Sequence, residues 1–307
     1  MKDGQDVVQH MPDGYLLPET REGEYLDARK KKLFKVSIDI LTEIKNICQK
    51  HKLRYFAAYG TLLGAIRHKG FIPWDDDMDI WMPRTDYMRF KRVAAAELPR
   101  HYFLQMTETE HEYSYDSIKI RDSRTTATID SQIKREKHIN MGIWVTIFPL
   151  DGCPENDFMA EHVLGRKWLV FWLMEAAFAR TKASFCHRIF HLLVRLLVNM
   201  VGVRRICEIR DRLCCKIPFE ESELCTSLWC LRGYNEFHCS PLAFKEGLEV
   251  PFEYTTICVP KDYETVLKSL YGDWHVCIKG TADHEYADLE PDIPYKKFVF
   301  EKYGLKL

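Results

Sequence analysis

Four aspartates within five positions, Asp75, Asp76, Asp77 and Asp79, constrain this chain more than any other feature. They sit among Trp74, Met78, Ile80, Trp81 and Met82, side chains that solvated acidic loops seldom carry. If Asp77 to Met82 is a strand, its side chains alternate faces. Asp77 and Asp79 then share one face, and Met78 and Ile80 turn into the core. Carboxylates crowded together repel unless a cation lies between them. Hard oxygen donors suit Mg²⁺, or Mn²⁺ in its place, which completes its shell with water and substrate phosphate. A calcium loop of the EF-hand kind does not fit, because Ile80 stands where that loop needs glycine and Pro83 interrupts it.

The segment before the acids reads as strand, turn and helix. Leu53 to Ala58 is an apolar run with strand character. Gly60-Thr61 follows as a turn, since glycine lets the backbone bend and another group approach closely. Leu62, Leu63, Ala65 and Ile66 then recur at helical spacing. Unpaired N–H groups at such a helix start form a natural phosphate cradle.

A Gly-Thr turn followed by Asp-apolar-Asp resembles the nucleotidyltransferase superfamily, and the longer string GTLLGAIRHKGFIPWDDDMDI resembles the LicD family of phosphocholine transferases, related to fukutin and fukutin-related protein. Weaker likeness runs from about Leu33 to Asp151 and from about Glu249 to Asp273. The resemblance implies an α+β fold, a nucleotidyltransferase-like (polymerase-β-type) mixed sheet flanked by helices. It implies a CDP-alcohol donor such as CDP-choline, a sugar hydroxyl of a cell-surface glycan or its lipid-linked precursor as acceptor, and release of CMP. Asp75, Asp77 and Asp79 are then the catalytic carboxylates, with Asp77 and Asp79 as metal ligands. Gly60, Thr61, Arg67, Lys69, Lys119 and Arg121 contact phosphate. Tyr271 and Trp274 border a pocket for choline, whose ammonium an aromatic face attracts. Transfer of a nucleotide instead of a phospho-alcohol, and binding without turnover, both remain open.

Ser117 to Asp122 alternates polar and apolar residues, which places Lys119 and Arg121 on one face. Gly142 to Leu150 is a second apolar strand, closed by Asp151-Gly152. In the family an aspartate usually precedes Ile-Phe-Pro on this strand; here Thr146 does, and threonine cannot be anionic. Either Asp75, Asp76 or Asp151 then compensates, or activity is weak or absent.

The remaining chain divides into an N-terminal arm (1–26), a catalytic core (27–157), a helical insert (158–217) and a C-terminal part completing the core and pocket (218–307). Leu33, Val36, Ile40, Ile44 and Ile47 predict a helix from Asp27 to Lys52. Thr85 reads as the cap of a helix reaching about Ala96. Thr255 to Val259 reads as a strand, and Asp262 as the cap of a helix ended by Gly272.

Lys plus Arg number 44 against 45 acids, so no overall basic bias points to nucleic acid. Between Arg166 and Arg212, however, ten Lys or Arg face three acids among aromatic and apolar residues, a pattern compatible with an anionic membrane surface or with packing on the core. The 11 cysteines, an odd number scattered from Cys48 to Cys277, suit reduced thiols in a cytoplasmic protein, and the lack of a C-x₂-C pair argues against a zinc site between Cys207 and Cys239 and for buried thiols there. No signal peptide or membrane span is expected from the sequence given.

Overall fold

The computed structural model describes residues 10–153, 157–178, 185–228, 238–279 and 286–307. A hairpin of β1 (Glu19–Arg21) and β2 (Glu24–Leu26) leads into α1 (Ala28–His51). Asp27 caps α1 by accepting the Lys30 N–H, and Lys52 ends it in the left-handed conformation. Of the apolar stripe predicted for this helix, Leu33, Ile40, Ile44 and Ile47 are buried, Ile40 and Ile44 completely, and Val36 is half-buried. The part of the N-terminal arm that is described is not loose. Arg21 pairs with Glu253 at 2.5 Å, and the Tyr15 hydroxyl donates to the same buried carboxylate.

The predicted strand at 53–58 is only β3 (Phe56–Ala57), and α2 (Tyr59–Arg67) begins immediately after it. Gly60 and Thr61 are therefore the first turn of the helix, not a loop before it. The acidic strand is also shorter than its alternation suggests: β4 runs Asp79–Pro83, and Asp75 to Asp77 lie in the loop ahead of it. The reason is pairing. Hydrogen bonding to β3 covers only Ile80 and Trp81, and the parallel ladder with β8 starts at Asp79. Met78 and Ile80 are fully buried, as alternation requires.

After α3 (Arg84–Glu97) come β5 (Tyr102–Gln105), β6 (Ile118–Asp122), β7 (Thr126–Ile129), α4 (Asp130–Lys134) and β8 (Ile143–Gly152). The central sheet has the order β3-β4-β8-β6-β5, with β9 (Cys225–Thr226) beside the end of β8. β4 and β8 are parallel and the other pairs antiparallel, so the sheet is mixed. Helices α1, α2 and α3 pack against it, giving an α+β core.

Helices α5 (Asp157–Phe178), α6 (Phe185–Val201) and α7 (Val203–Cys214) share a small apolar core of their own around Met174, Val194 and Val198. A buried charge network ties them to the sheet. Asp116 receives Lys167 of α5 at 2.6 Å, Arg210 of α7 at 3.2 Å and Arg84 of α3 at 3.3 Å. Arg84 also holds Asp151 at 2.6 Å. Isolated buried ions are costly, and mutual pairing is what makes their burial tolerable.

The chain ends with a hairpin of β10 (Gly247–Phe252) and β11 (Thr255–Pro260), then α8 (Tyr263–Tyr271), β12 (Tyr286–Glu290) paired with β7, and α9 (Tyr295–Tyr303). Asp262 caps α8 as predicted, and Gly272 takes a positive φ of 66°. No helix among the described residues is long and apolar enough to cross a membrane.

Candidate active site

The start of α2, the acidic loop and the facing ends of β4, β8 and β6 enclose a cavity of about 890 Å³. That volume lies within the range of small-molecule sites, roughly 300–1,000 Å³. Asp75, Asp77 and Asp79 line it, with Gly60, Arg67, Lys119, Thr146, Tyr271 and Trp274.

Three strands set one row of this wall. Asp79 on β4 pairs with Thr146 on β8, and Thr146 pairs with Lys119 on β6. The Thr146 hydroxyl hydrogen-bonds the Asp79 carboxylate. Burial, with Asp77 and Asp75 beside it, nevertheless holds Asp79 well above the usual carboxylate range; Lys119 and Thr146 act against the shift. Burial and the Asp77 charge push Asp75 up to about 7. Lys119 is held well below the ordinary lysine value by burial and by Arg121, with Asp79 and Asp77 pulling the other way. Its ammonium lies 3.9 Å from the centre of the Trp144 ring.

Gly60 lets the acidic loop close on α2. A Cβ at this position would lie 2.5 Å from an Asp75 carboxylate oxygen. Thr61 has a different part from the one expected. It is buried away from the cavity walls, and its hydroxyl oxygen accepts the Asp79 N–H at 2.9 Å. It thus fixes the first residue of β4 from the helix.

Two expected phosphate contacts do not line the cavity. Lys69 is exposed, in the left-handed conformation with φ 53°, and its carbonyl accepts the Glu253 N–H. Arg121 shares a strand face with Lys119 but lies one step deeper, behind Trp144. There it is fully buried and donates to Gln105 at 2.6 Å and to the Gly142 carbonyl at 2.7 Å. Asp151 cannot supply a third carboxylate to the cavity, because it is buried against Arg84 and accepts the Leu228 N–H. Of the possible replacements for the missing strand acid, Asp75 is the one on the cavity wall.

The donor chemistry of this loop fits a divalent cation. Asp75, Asp76 and Asp77 each offer a carboxylate oxygen, and these oxygens lie within 4.8 Å of one another. Asp79 faces the same cavity rather than joining that cluster, because the strand begins only at Asp79. Among the described cysteines no metal-binding group forms. Cys225 and Cys239 are buried free thiols with their sulfurs 3.7 Å apart, and Cys230 lies outside the described residues.

The far wall was not foreseen. Tyr113, Tyr115, Arg135 and Lys137 line it, and Arg135 and Lys137 both pair with Glu175 of α5, at 3.2 and 2.6 Å. In sequence the stretch Lys134 to Lys137 has the composition of a solvated turn, and only the fold reveals that Glu175 gathers it.

Comparison with known proteins covers the part of the chain that carries this cavity. Residues 52–175 match the family described as "LicD/FKTN/FKRP, nucleotidyltransferase domain". The chain is 39% identical over 122 residues to "Lipopolysaccharide cholinephosphotransferase LicD" of Haemophilus influenzae, which covers 39% of this chain and 44% of that protein. It is 29% identical over 158 residues to "Uncharacterized protein RP689" of Rickettsia prowazekii, covering 52% of this chain and 54% of that one. The chain thus spans about half, or less, of the length of these curated relatives. The matched region, residues 52–175, contains the acidic loop, the row from Asp79 to Lys119 and the far wall, and it is this part of the chain that is similar to the LicD family.

Proposed function

We propose that the chain is a cation-assisted transferase of nucleotidyltransferase-like (polymerase-β-type) architecture. In this reading it moves phosphocholine, or a related phospho-alcohol, from a CDP-activated donor to a sugar hydroxyl. The observation that carries the reading is the meeting of three aspartates with a half-buried lysine across one cavity. Mg²⁺ or Mn²⁺ held by the carboxylates of Asp75, Asp76 and Asp77, with Asp79 on the same cavity wall, would neutralise charge on the donor's phosphates.

The protein's own groups account for the rest. Lys119, desolvated between Trp144 and the acids, lines the cavity, and a bound phosphate would favour its charged form. Arg67 reaches the cavity from the end of α2 and donates to the Trp274 carbonyl at 3.4 Å, linking phosphate-binding and aromatic walls. Tyr271 and Trp274 would hold a quaternary ammonium, an attraction worth ~2 kcal/mol or more when desolvated. Burial and the neighbouring acids raise Asp75 to about 7 in the cation-free protein, and a bound cation would lower it again. In place of the missing strand acid, Thr146 orients Asp79 through its hydroxyl.

That same threonine favours a second reading, a donor-binding protein without turnover. A screen of CDP-alcohols with Mg²⁺ or Mn²⁺ and a glycan panel separates the readings. CMP release supports phospho-alcohol transfer. Pyrophosphate release from a nucleoside triphosphate indicates nucleotidyl transfer, and donor binding with neither product supports the binding protein.

A further inference from the structure

Helix α6 has two apolar faces where a surface helix needs one. His191, Val194 and Val198 turn inward onto α5 and α7. Ile189, Leu192, Leu193, Leu196 and Met200 turn outward at spacings of one, three and four residues. Leu193 is 59% exposed, Leu196 56% and Met200 79%. Trp168 and Trp172 of α5 extend this surface, with the Trp172 and Phe190 rings 5.7 Å apart. A contiguous exposed apolar patch of this kind marks an interaction face.

Charge identifies what the face suits. Arg188 and Arg195 are exposed and lie seven residues apart, forming a row between the inward and outward faces of α6. The three acids between Arg166 and Arg212 are already engaged. Glu175 holds Arg135 and Lys137, Glu208 holds Arg204 and Arg212, and Asp211 holds Lys91. A second copy of the chain would cover the leucines but bring the arginines no acid from the stretch Arg166–Arg212, where the patch lies. Anionic lipid supplies both needs, hydrocarbon for the leucines and headgroup phosphate for the arginines, whose long stems let the charge reach the interface. Tryptophan at the edge of the patch suits the same boundary.

We propose that the outward face of α5 and α6 docks the protein on an anionic membrane surface. The cavity is coupled to that face. Glu175, which gathers the two far-wall cations, lies one turn beyond Trp172 on α5, and Phe171 packs against the cavity residue Tyr115 at 5.6 Å. A lipid-linked acceptor entering from the membrane would meet Arg135 and Lys137 first; this last step rests on the transfer reading, whereas docking does not.

The test is co-sedimentation of the full chain with phosphatidylcholine vesicles, with and without phosphatidylglycerol. Binding is expected only with phosphatidylglycerol, falling as salt rises. The triple substitution Leu193→Ser, Leu196→Ser, Met200→Ser should lower vesicle binding at least ~10-fold, because it removes the buried apolar area on which such binding depends. Its circular dichroism melt should match wild type, since all three side chains are exposed. Arg188→Glu with Arg195→Glu should lower binding similarly. Asp77→Asn should bind vesicles as wild type does, which keeps failure of docking separate from failure of the transferase reading. Absence of wild-type binding, or unchanged binding of the triple variant, would overturn the proposal. So would a dimer, seen by light scattering, that the triple substitution splits without any vesicle binding.

Discussion

Thr146 stands beside Asp79 in the parallel pairing of β8 with β4, and its hydroxyl hydrogen-bonds the Asp79 carboxylate. The position where the resemblance implies an acid is thus used here to orient one. Thr146→Val should weaken cation binding about tenfold, since a hydrogen bond to a charged group contributes ~1.5 kcal/mol or more. Thr146→Asp should tighten cation binding and lower the melting temperature of the cation-free protein, because a further charge enters the crowded row. Isothermal titration with Mn²⁺ and melting in chelator read both effects. Unchanged affinity in both variants would remove Thr146 from the site.

Crowded carboxylates destabilise the protein until a cation binds. Asp77→Asn and Asp79→Asn should each abolish turnover yet raise the melting temperature measured in chelator at neutral pH. Retention of more than about a tenth of activity in both variants, a barrier change under ~1.4 kcal/mol, would contradict the cation assignment.

Gly60→Ala distinguishes support from folding. The added Cβ meets the end of the Asp75 side chain rather than backbone, so the carboxylate can move aside. The melting temperature should fall by little. Cation affinity should fall about tenfold, ~1.4 kcal/mol, as Asp75 leaves the cluster. A variant that unfolds, or one with wild-type affinity, would refute this account of Gly60.

Asp116 predicts a pH signature. Burial alone would raise its pKa, but Lys167, Arg210 and Arg84 hold it well below the ordinary value of 3.8. A depressed carboxylate stabilises the fold above its unfolded pKa, and that stabilisation is lost as pH falls through the folded value. Asp116→Asn should therefore cost about 3–5 kcal/mol, the scale of breaking a buried ion pair. Denaturant titration should show the difference from wild type constant between pH 5 and 8, to be read against a loss confined below ~4. A gap that widens on acidification would contradict the network.

Much of this was legible in the sequence, where local pattern and final packing agree. The α1 stripe, the burial of Met78 and Ile80, and the Asp262 cap follow from periodicity and capping chemistry alone. What failed depended on pairing partners distant in sequence. Asp77 lies in a loop because β4 has a partner only from Asp79 onward. Arg121 lies behind Trp144 because depth along a strand, unlike face, is set by the neighbouring strand. Asp151 is held by Arg84, 67 residues earlier in the chain, and Arg135 and Lys137 by a glutamate on another helix.

The most direct measurement of the central claim is product analysis. The protein, CDP-choline, Mg²⁺ and a glycan panel are incubated together, and nucleotide products are resolved by chromatography and modified glycan by mass spectrometry. The account predicts CMP in equal amount to phosphocholine-bearing glycan, with both lost in Asp79→Asn. Donor binding without CMP release, across CDP-alcohols and glycans alike, would contradict it.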